Sequence, residues 1–404
     1  MDLTVLAIPG YVASMGLEFR ALERRRAEQG PSAADYEWRD TITSLTMGFA
    51  SLAAPIVVPK LVRPLVPGKG HYGKVLVGTA LGALAVSVAA DAIARRAGGC
   101  REAGDPPDSS PRAREDRAPE SDASPTRGPR RLLRRALQHR HTGPAARRVA
   151  GAAAVTAVTT GGLAITTSWA TLTAPHRFWA RRFVRDLGTG PGAIVLAVLG
   201  WDFIYYWNHR FQHESRYMWA HHVVHHSSER YNLSTALRQP VAEVLCTFLP
   251  YGLLSFFGIR PALVETARGV NLIYQYWIHT DTIRKLGWFE QWFNTPSHHR
   301  VHHGSNREYI DRNHGSIFIV WDRLFGTFQE ERAPVVYGLT SNIKTFNPFR
   351  VIGREYSDML RDVANATTWR DRVAHVVRGP GWSYARRSAP VRSAVLVEEH
   401  PSAV

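Results

Sequence analysis

Cysteine is scarce in this sequence, with only two residues of this type among 404. Cys100 lies in a polar segment and Cys246 in an apolar one, so the sequence predicts no disulfide framework and is compatible with a reducing, cytoplasm-facing site. Internal repeats and glycine-rich phosphate-binding loops are also absent. These absences exclude a small disulfide-stapled scaffold, a repeat protein and a nucleotide-binding enzyme of the phosphate-loop type.

Charge is missing from four long runs, and this absence indicates the class of protein. The runs cover residues 3–19, 42–58, 75–90 and 149–175 and contain one charged residue, Glu18. A membrane-spanning helix needs roughly 17 to 25 apolar residues, which these runs approach or exceed. Three further apolar segments lie at residues 187–208, 244–259 and 262–278. Core helices of soluble enzymes reach the same length, so length alone does not distinguish these segments from such helices. We therefore predict an all-α, polytopic integral membrane protein.

The basic residues give a formal net charge of +16, and many of them lie in one polar segment. Residues 95–148 contain 14 arginines and no lysine among Pro, Ser, Gly, Asp and Glu. This composition cannot bury a core, so it predicts a disordered linker. Binding of RNA or DNA by the linker is an alternative, but we favour a cytoplasmic loop near anionic lipid and expect no nucleic-acid partner.

The positive-inside rule then orients the chain. With the arginine-rich linker in the cytoplasm, the segment that ends near Asn208 reaches the cytoplasmic side. The loop at 176–186 opposes this scheme because its four arginines would lie outside, which leaves a re-entrant segment before it as an alternative. Residues 244–259 and 262–278 are expected to form a helical hairpin that keeps the following motifs on the same side.

The sequence thus predicts four regions. They are N-terminal transmembrane helices at 1–94, a disordered cytoplasmic linker at 95–148, a membrane-embedded domain at 149–350 and a C-terminal cytoplasmic tail at 351–404.

Histidine is concentrated in about a quarter of the chain, because 12 of the 18 histidines lie between His209 and His314. They occur in five motifs: HRFQHE (His209, His213), HHVVHH (His221, His222, His225, His226), WIHT (His279), SHHRVHH (His298, His299, His302, His303) and DRNHG (His314). On a helix, residues at i, i+3 and i+4 lie on one side. Each of the longer motifs is therefore expected to present its imidazoles in one direction.

Imidazole is a common ligand of Fe, Zn, Cu and Ni. One structural zinc uses about four ligands, whereas eight or nine well-spaced histidines suit two metals with open positions. The repeated His-x-x-His-His pattern favours a polyhistidine metal site over chance clustering, and an expression tag is excluded because the histidines are internal and interleaved. The roles of His221, His298 and His314 stay open between a metal ligand and a partner of one.

The residues around these motifs resemble the sterol desaturase and fatty acid hydroxylase superfamily. The resemblance is carried by DFIYYWNHRFQHE, WAHHVVHHSSERYNLSTALRQP, YQYWIHT and NTPSHHRVHHGSNREYIDRNHGSIFIVWDRLFGTFQEE, and covers about residues 190–350. The sequences HHSSERYNLSTALRQ and NTPSHHRVHHGSN are most similar to those of the alkylglycerol monooxygenase-like branch. Two features depart from the family pattern: the insertion at 95–148, and His314, where a tyrosine is more usual.

The resemblance implies a helical membrane fold with a cytosolic histidine-rich di-metal cap, two iron ions and O2-dependent attack on lipid C–H bonds. The region 149–350 would then be the di-iron hydroxylase domain. Carried over by position, the implied metal ligands are His209, His213, His222, His225, His226, His279, His299, His302 and His303. Asp202 and Glu214 are expected to orient imidazoles rather than to bind iron.

The expected function is that of a di-iron lipid monooxygenase acting on an alkylglycerol ether lipid, a fatty acyl chain or a sterol-like substrate. Unactivated C–H bonds resist acid–base attack, so a redox metal is needed, and zinc is redox-inert. The sequence shows no haem, flavin or iron–sulfur motif, so electrons are expected from a separate protein donor or from tetrahydrobiopterin. Desaturation by the same centre and a non-catalytic membrane metal-binding protein are the alternatives.

Overall fold

The protein is described by a computed structural model that covers residues 3–102, 129–241 and 246–388. Within these residues the chain is helical, and β pairing is limited to the isolated bridges Phe293–Phe318 and Gly304–Tyr337. The helices are α1 (Leu3–Leu6), α2 (Ile8–Gln29), α3 (Trp38–Val62), α4 (Gly73–Glu102), α5 (Pro129–Leu172), α6 (Pro175–Ala180), α7 (Pro191–Glu214), α8 (Arg216–His226), α9 (Leu253–Phe256), α10 (Pro261–Trp277), α11 (Pro296–His302), α12 (Val320–Phe325), α13 (Pro348–Asn365), α14 (Trp369–Val377) and α15 (Pro380–Ser388). The all-α prediction is confirmed.

Three helical stretches are long and apolar enough to cross a membrane: Trp38–Leu65, Gly73–Ala97 and Gly143–Leu172. They contain three of the four uncharged runs, in α3, α4 and α5. Large apolar side chains stay exposed on them, such as Phe49 at 79% and Ile165 at 71%. Surfaces of this kind are stable against lipid and unfavourable against water, so the prediction of an integral membrane protein is confirmed.

The spans alternate in direction relative to one end of the molecule, which we call the histidine end because the histidine motifs lie there. α3 begins at this end, where the Thr43 hydroxyl donates a hydrogen bond to the carbonyl oxygen of Phe346 at 2.7 Å. α4 returns to it alongside α5, and the Ser87 hydroxyl of α4 donates to the carbonyl oxygen of Ala150 at 3.0 Å. α5 then runs away from the histidine end toward the opposite end of the molecule, which we call the far end. α7 and α10 begin at the far end and run back toward the histidine end.

Helices α7 and α10 pack against each other and carry histidine motifs at their carboxyl ends. The apolar part of their contact includes Ala197, Trp201, Val264 and Ala267, none of which is more than 3% exposed. The small alanine side chains allow the two helices to approach closely. Trp201 also stacks on Tyr251, with 4.3 Å between ring centroids, and this extends the core toward α9.

Two predicted apolar segments are not single helices. The run at 3–19 is divided between α1 and α2 and is not among the candidate spans of the described residues. The segment 244–259 contains only the short α9, and residues 244–245 lie outside the described part. The expected hairpin of two long helices is therefore wrong. Gly258 ends this segment at a φ of 88°, where a side chain would meet the carbonyl oxygen of Arg185.

The predicted linker and tail are described in part. Residues 95–102 continue α4 and residues 129–148 belong to α5, whereas 103–128, where linker disorder stays a prediction, lie outside the described residues. The predicted C-terminal tail is folded as far as residue 388 into α13, α14 and α15, and residues 389–404 lie outside the description. Because α13 packs against α5 and α8, this part of the tail supports the histidine end.

Candidate metal centre

The nine histidines predicted as ligands converge at the histidine end as two separate clusters. Within each cluster the candidate ligand atoms all lie within 4.8 Å of one another, and every member is buried. The five-histidine cluster contains His209, His213, His222, His226 and His302. The four-histidine cluster contains His225, His279, His299 and His303.

Helices α8 and α11 lie between the clusters and contribute to both. In the HHVVHH motif, His222 and His226 point to the five-histidine cluster and His225 points to the other. In the HHRVHH motif, His302 joins the five-histidine cluster, while His299 and His303 join the four-histidine cluster. The expectation that a motif presents its imidazoles in one direction holds for His209 and His213 of HRFQHE and is wrong for these two motifs. The clusters are in direct contact, since the rings of His226 and His303 stack with centroids 4.5 Å apart.

The spacing of the ring nitrogens suits metal coordination in the five-histidine cluster. The Nε2 atom of His222 lies 2.9 Å from Nε2 of His209 and 3.1 Å from Nε2 of His226. Two nitrogens bound at right angles to one ion, each at about 2.1 Å, would be about 3.0 Å apart. The buried Nε2 atoms of His213 and His302 have no hydrogen-bond partner, and a metal ion would satisfy them.

The four-histidine cluster has the same spacing. The Nε2 atom of His279 lies 3.1 Å from Nε2 of His225 and 2.9 Å from Nε2 of His299. His303 Nε2 lies 3.2 Å from Nε2 of His299. Both clusters therefore fit an ion that prefers imidazole nitrogen, and each could hold one metal.

Hydrogen bonds on the outer ring nitrogens fix the orientation of the imidazoles. Nδ1 of His209 donates to the carbonyl oxygen of His314 at 2.8 Å, and Nδ1 of His302 donates to the carbonyl oxygen of Arg312 at 2.8 Å. Because a carbonyl oxygen can only accept a hydrogen bond, Nδ1 must carry the proton in both residues. In the four-histidine cluster Nδ1 of His279 donates to the carbonyl oxygen of Gln275 at 2.6 Å. In each case Nε2 is left with its lone pair facing the cluster, as a metal ligand requires.

Burial disfavours the charged form of several cluster histidines. It lowers the pKa of His225 to about 4; the hydrogen bond to the carbonyl oxygen of Arg238 opposes this shift, and the imidazole of His213 adds to it. Burial likewise lowers the pKa of His222, His226 and His302 well below the ordinary value of 6.5, with the other imidazoles as the second cause. Because the charged form is disfavoured, protons compete weakly with a metal for these nitrogens near neutral pH.

The DRNHG motif contains His314, whose role the sequence left open, and Asp311, whose role it did not reveal. The carboxylate of Asp311 accepts a hydrogen bond from Nδ1 of His213 at 3.2 Å. Asp311 and Asn313 both have a positive φ, of 57° and 55°, which makes the turn that places these groups. Asp322 accepts from the backbone amides of His314 and Gly315 at 2.7 Å each and holds the end of the turn. A DRN run before glycine is a turn signal that sequence reasoning could have used.

The three histidines of open role lie beside the clusters and belong to neither. His314 is buried, and its ring lies 5.0 Å from that of His213 between centroids. His221 faces a small cavity formed with Cys246 and Tyr356. His298 packs its ring against Phe328. Burial lowers the pKa of both His221 and His298 to about 4.

Asp202 and Glu214 do not have the role expected of them. Asp202 accepts hydrogen bonds from the backbone amide of Ile317 at 2.8 Å and from the indole of Trp321 at 2.8 Å. It therefore fixes the segment that follows the DRNHG motif rather than an imidazole. Glu214 instead pairs with Arg210 at 2.8 Å on a partly exposed face of α7.

An apolar cavity of about 570 Å³ reaches the four-histidine cluster at His279. One side of it is formed by residues along α10, namely Val264, Glu265, Arg268, Leu272, Gln275 and Tyr276. The opposite side comes from α2 and α3 and includes Val12, Phe49 and Leu52, whose side chains are 61%, 79% and 40% exposed. The cavity therefore opens sideways between α2 and α3, toward the surface that would contact lipid.

The fold and site define a polytopic helical membrane protein with two adjacent polyhistidine clusters. Residues 194–327 match the family model described as fatty acid hydroxylase. The chain is 47% identical over 186 residues to human alkylglycerol monooxygenase, covering 46% of this chain and 42% of that protein. It is 46% identical over 188 residues to the alkylglycerol monooxygenase of Danio rerio, with coverage of 46% and 42%. The resemblance inferred from the motifs is confirmed.

A more distant relative is the ornithine lipid hydroxylase OlsE of Rhizobium tropici, 27% identical over 188 residues, which cover 44% of this chain and 57% of that protein. The alkylglycerol monooxygenases above are matched over about two fifths of their length. No solved structure matches the chain significantly.

Proposed function

We propose that the chain is a di-iron membrane oxygenase that uses O2 to hydroxylate a lipid C–H bond, with an alkylglycerol ether lipid as the first candidate substrate. One observation supports this most strongly: a lipid-facing apolar cavity ends at His279, which belongs to one of two adjacent polyhistidine clusters. A lipid chain in the cavity would lie next to a metal held by this cluster. The names of the matched relatives give the substrate class.

The nine histidines of the two clusters would hold two irons, five ligands on one side and four on the other. Bound iron would supply the redox chemistry that activates O2, which redox-inert zinc cannot supply. Neither His221 nor His298 is needed as a ligand in this assignment. The reductant would be tetrahydrobiopterin or a separate protein donor.

The chain's own residues would position the substrate and exclude water. The wall of the cavity extends from Glu265 on α10 to His279, two residues beyond the end of that helix, a distance of about 21 Å for 14 residues at about 1.5 Å each. An extended alkyl chain of roughly sixteen carbons has a similar length. The stacked rings of Trp201 and Tyr251 line the same cavity and keep water from the buried segment of such a chain.

The histidine end would face the cytoplasm. The arginine-rich segment joins α4 to α5 at this end, since α4 ends and α5 begins there. The positive-inside rule places such segments in the cytoplasm. The far end contains Arg177, Arg181, Arg182 and Arg185, which oppose this assignment but are fewer.

Desaturation of a lipid chain would use the same cavity and clusters, and nothing in their geometry favours it over hydroxylation. A non-catalytic metal-binding protein would need neither the cavity nor its contact with His279. The presence of that contact is why we favour an enzyme.

The test is to purify the full chain in lipid nanodiscs, measure iron per chain, and follow O2 consumption and lipid products. We expect about two irons per chain, O2 uptake with alkylglycerol and tetrahydropterin, and aldehyde or hydroxylated lipid as product. The variant His279→Ala should lose O2 uptake, whereas His221→Ala, which changes a buried histidine outside the clusters, should keep it. Two bound irons without O2 uptake across lipids and reductants would contradict the enzyme, and an alkene product would indicate desaturation.

A further inference from the structure

Two buried acidic residues connect the N-terminal helices to the four-histidine cluster. Asp40 of α3 and Glu18 of α2 are only 3% and 6% exposed. Both lie outside the segment 194–327 that matches the family model. Buried carboxylates are costly unless they are paired and hydrogen-bonded, so their contacts indicate what they stabilise.

Asp40 holds a residue whose backbone orients His225. The carboxylate of Asp40 pairs with the guanidinium of Arg238, which is 1% exposed, and also accepts a hydrogen bond from Ser228 Oγ at 2.8 Å. Arg238 donates further to the hydroxyl of Ser44 at 3.1 Å. The carbonyl oxygen of Arg238 accepts a hydrogen bond from Nδ1 of His225 at 3.3 Å. The Asp40 carboxylate in α3 thereby fixes the position of the carbonyl oxygen that accepts the hydrogen bond from His225.

Glu18 acts on the segment that carries His279. Its carboxylate accepts hydrogen bonds from the hydroxyl of Thr280, from the hydroxyl of Tyr36 at 2.6 Å and from the backbone amide of Leu233 at 2.8 Å. Thr280 directly follows His279 in the chain. One carboxylate in α2 thus joins two loops at the back of the four-histidine cluster.

The five-histidine cluster is supported from a different part of the chain. The acceptors behind His209, His302 and His213 are His314 O, Arg312 O and the Asp311 carboxylate. All three acceptors come from residues 311–314. In the described residues, the hydrogen bonds of Glu18 and Asp40 reach none of these three acceptors, although Asp40 also accepts from Ser228, two residues after His226.

We propose that Asp40 and Glu18 are positioning residues of the four-histidine cluster, so that the N-terminal helices control metal binding at one of the two positions and leave the other unaffected. This inference rests on the two-metal site of the proposed function. Removing the negative charge of Asp40 leaves the Arg238 guanidinium buried without its counterion, and the Arg238 backbone must shift to solvate it. His225 then loses its acceptor, and loss of such a contact weakens metal affinity by about 10- to 100-fold.

The experiment compares Asp40→Asn and Glu18→Gln with a matched control, Asp91→Asn. Asp91 of α4 is 4% exposed and pairs with buried Arg372, so the control removes the same charge from a similar interhelical ion pair. The backbone carbonyl of Arg372 supports no cluster histidine in the described hydrogen bonds. Each variant is purified as the full chain, depleted of metal and titrated with Co²⁺, and bound cobalt is measured by mass spectrometry and visible absorption. Thermal unfolding in the same nanodiscs reports whether each variant is folded.

We expect two cobalt sites in the unmodified chain and in Asp91→Asn. In Asp40→Asn and Glu18→Gln, one site should be weakened about 10- to 100-fold and the other unchanged. The absorption spectrum of the cobalt retained should match that of His225→Ala, which leaves only the five-histidine cluster intact. Equal weakening of both sites in a folded variant, or no weakening of either, would overturn the inference. If the unmodified chain binds no cobalt, the two-metal site itself fails instead.

Discussion

His209 donates a hydrogen bond from Nδ1 to the backbone carbonyl oxygen of His314 at 2.8 Å. The residue that departs from the family pattern thus contributes its backbone to the five-histidine cluster, while its own imidazole lies outside the cluster. Because any residue offers the same carbonyl oxygen, the identity of the side chain at this position should matter little for holding His209.

We therefore predict that His314→Tyr retains the metal of the five-histidine cluster. The tyrosine ring has a similar flat shape, and the carbonyl oxygen behind His209 is unchanged. Metal per chain, measured after purification, should equal that of the unmodified protein. His209→Ala is the comparison and should lose one metal. Loss of one metal in His314→Tyr as well would make His314 a ligand.

A bulky side chain placed halfway along the cavity should change the length of the alkyl chain that the cavity accepts. Leu272 lies seven residues before His279 on α10, about 10 Å along the helix. We predict that Leu272→Trp abolishes turnover of long alkyl substrates and keeps that of chains shorter than about eight carbons. Ile273→Trp, one residue further on, does not face the cavity and should keep long-chain turnover. Identical chain-length profiles for both variants would contradict the cavity as the substrate site.

The buried ion pairs of Arg216 should be far more important for stability than an exposed pair nearby. The Arg216 side chain is 0% exposed and pairs with Glu355 at 2.8 Å and Asp362 at 2.6 Å. We predict that Arg216→Met destabilises the protein by about 3 kcal/mol, because the nearly buried Glu355 loses its ion-pair partner. Asp362 is left with its pair with Arg387. Arg210→Met removes the exposed pair with Glu214 and should cost less than about 1 kcal/mol. Thermal unfolding in nanodiscs compares the two, and equal shifts would contradict the prediction.

The metal-free protein should become less stable as pH falls below about 6.5. Burial lowers the pKa of His225 and His298 to about 4 in the folded state, while in the unfolded chain the pKa is about 6.5. The unfolded state therefore binds more protons between these values, and stability present above pH 6.5 is lost toward pH 4. The midpoint of thermal unfolding, measured at constant salt from pH 8 to pH 5, should decrease only on the acidic side. An unchanged midpoint would show that these histidines are not buried in the metal-free state.

The sequence predicted which nine histidines converge but not their division between two clusters. Spacing at i, i+3 and i+4 reveals that His222, His225 and His226 share one side of a helix. It does not reveal that α8 lies between the two clusters. His222 and His226, four residues apart, point to the five-histidine cluster, whereas His225 points to the four-histidine cluster. That arrangement depends on how α7, α10 and α11 pack around α8, which is a tertiary property.

Long uncharged runs were predictable because crossing a membrane requires them in any context. The segment 244–259 was not predictable in the same way, since its described residues form turns and the short α9 between Gly252 and Gly258 instead of one long helix. The supporting role of Asp40 and Glu18 was also hidden, because each contacts residues about 200 or more positions away. Only the folded chain brings such partners together.

For the lipid substrate proposed above, the sideways opening of the cavity between α2 and α3 changes what is meant by concentration. A molecule that enters from the bilayer arrives by diffusion in two dimensions, so its mole fraction among the surrounding lipids sets the rate of encounter. Its solubility in water has no influence. Adding inert lipid should slow such a reaction by dilution even when the total amount of substrate and protein is held constant.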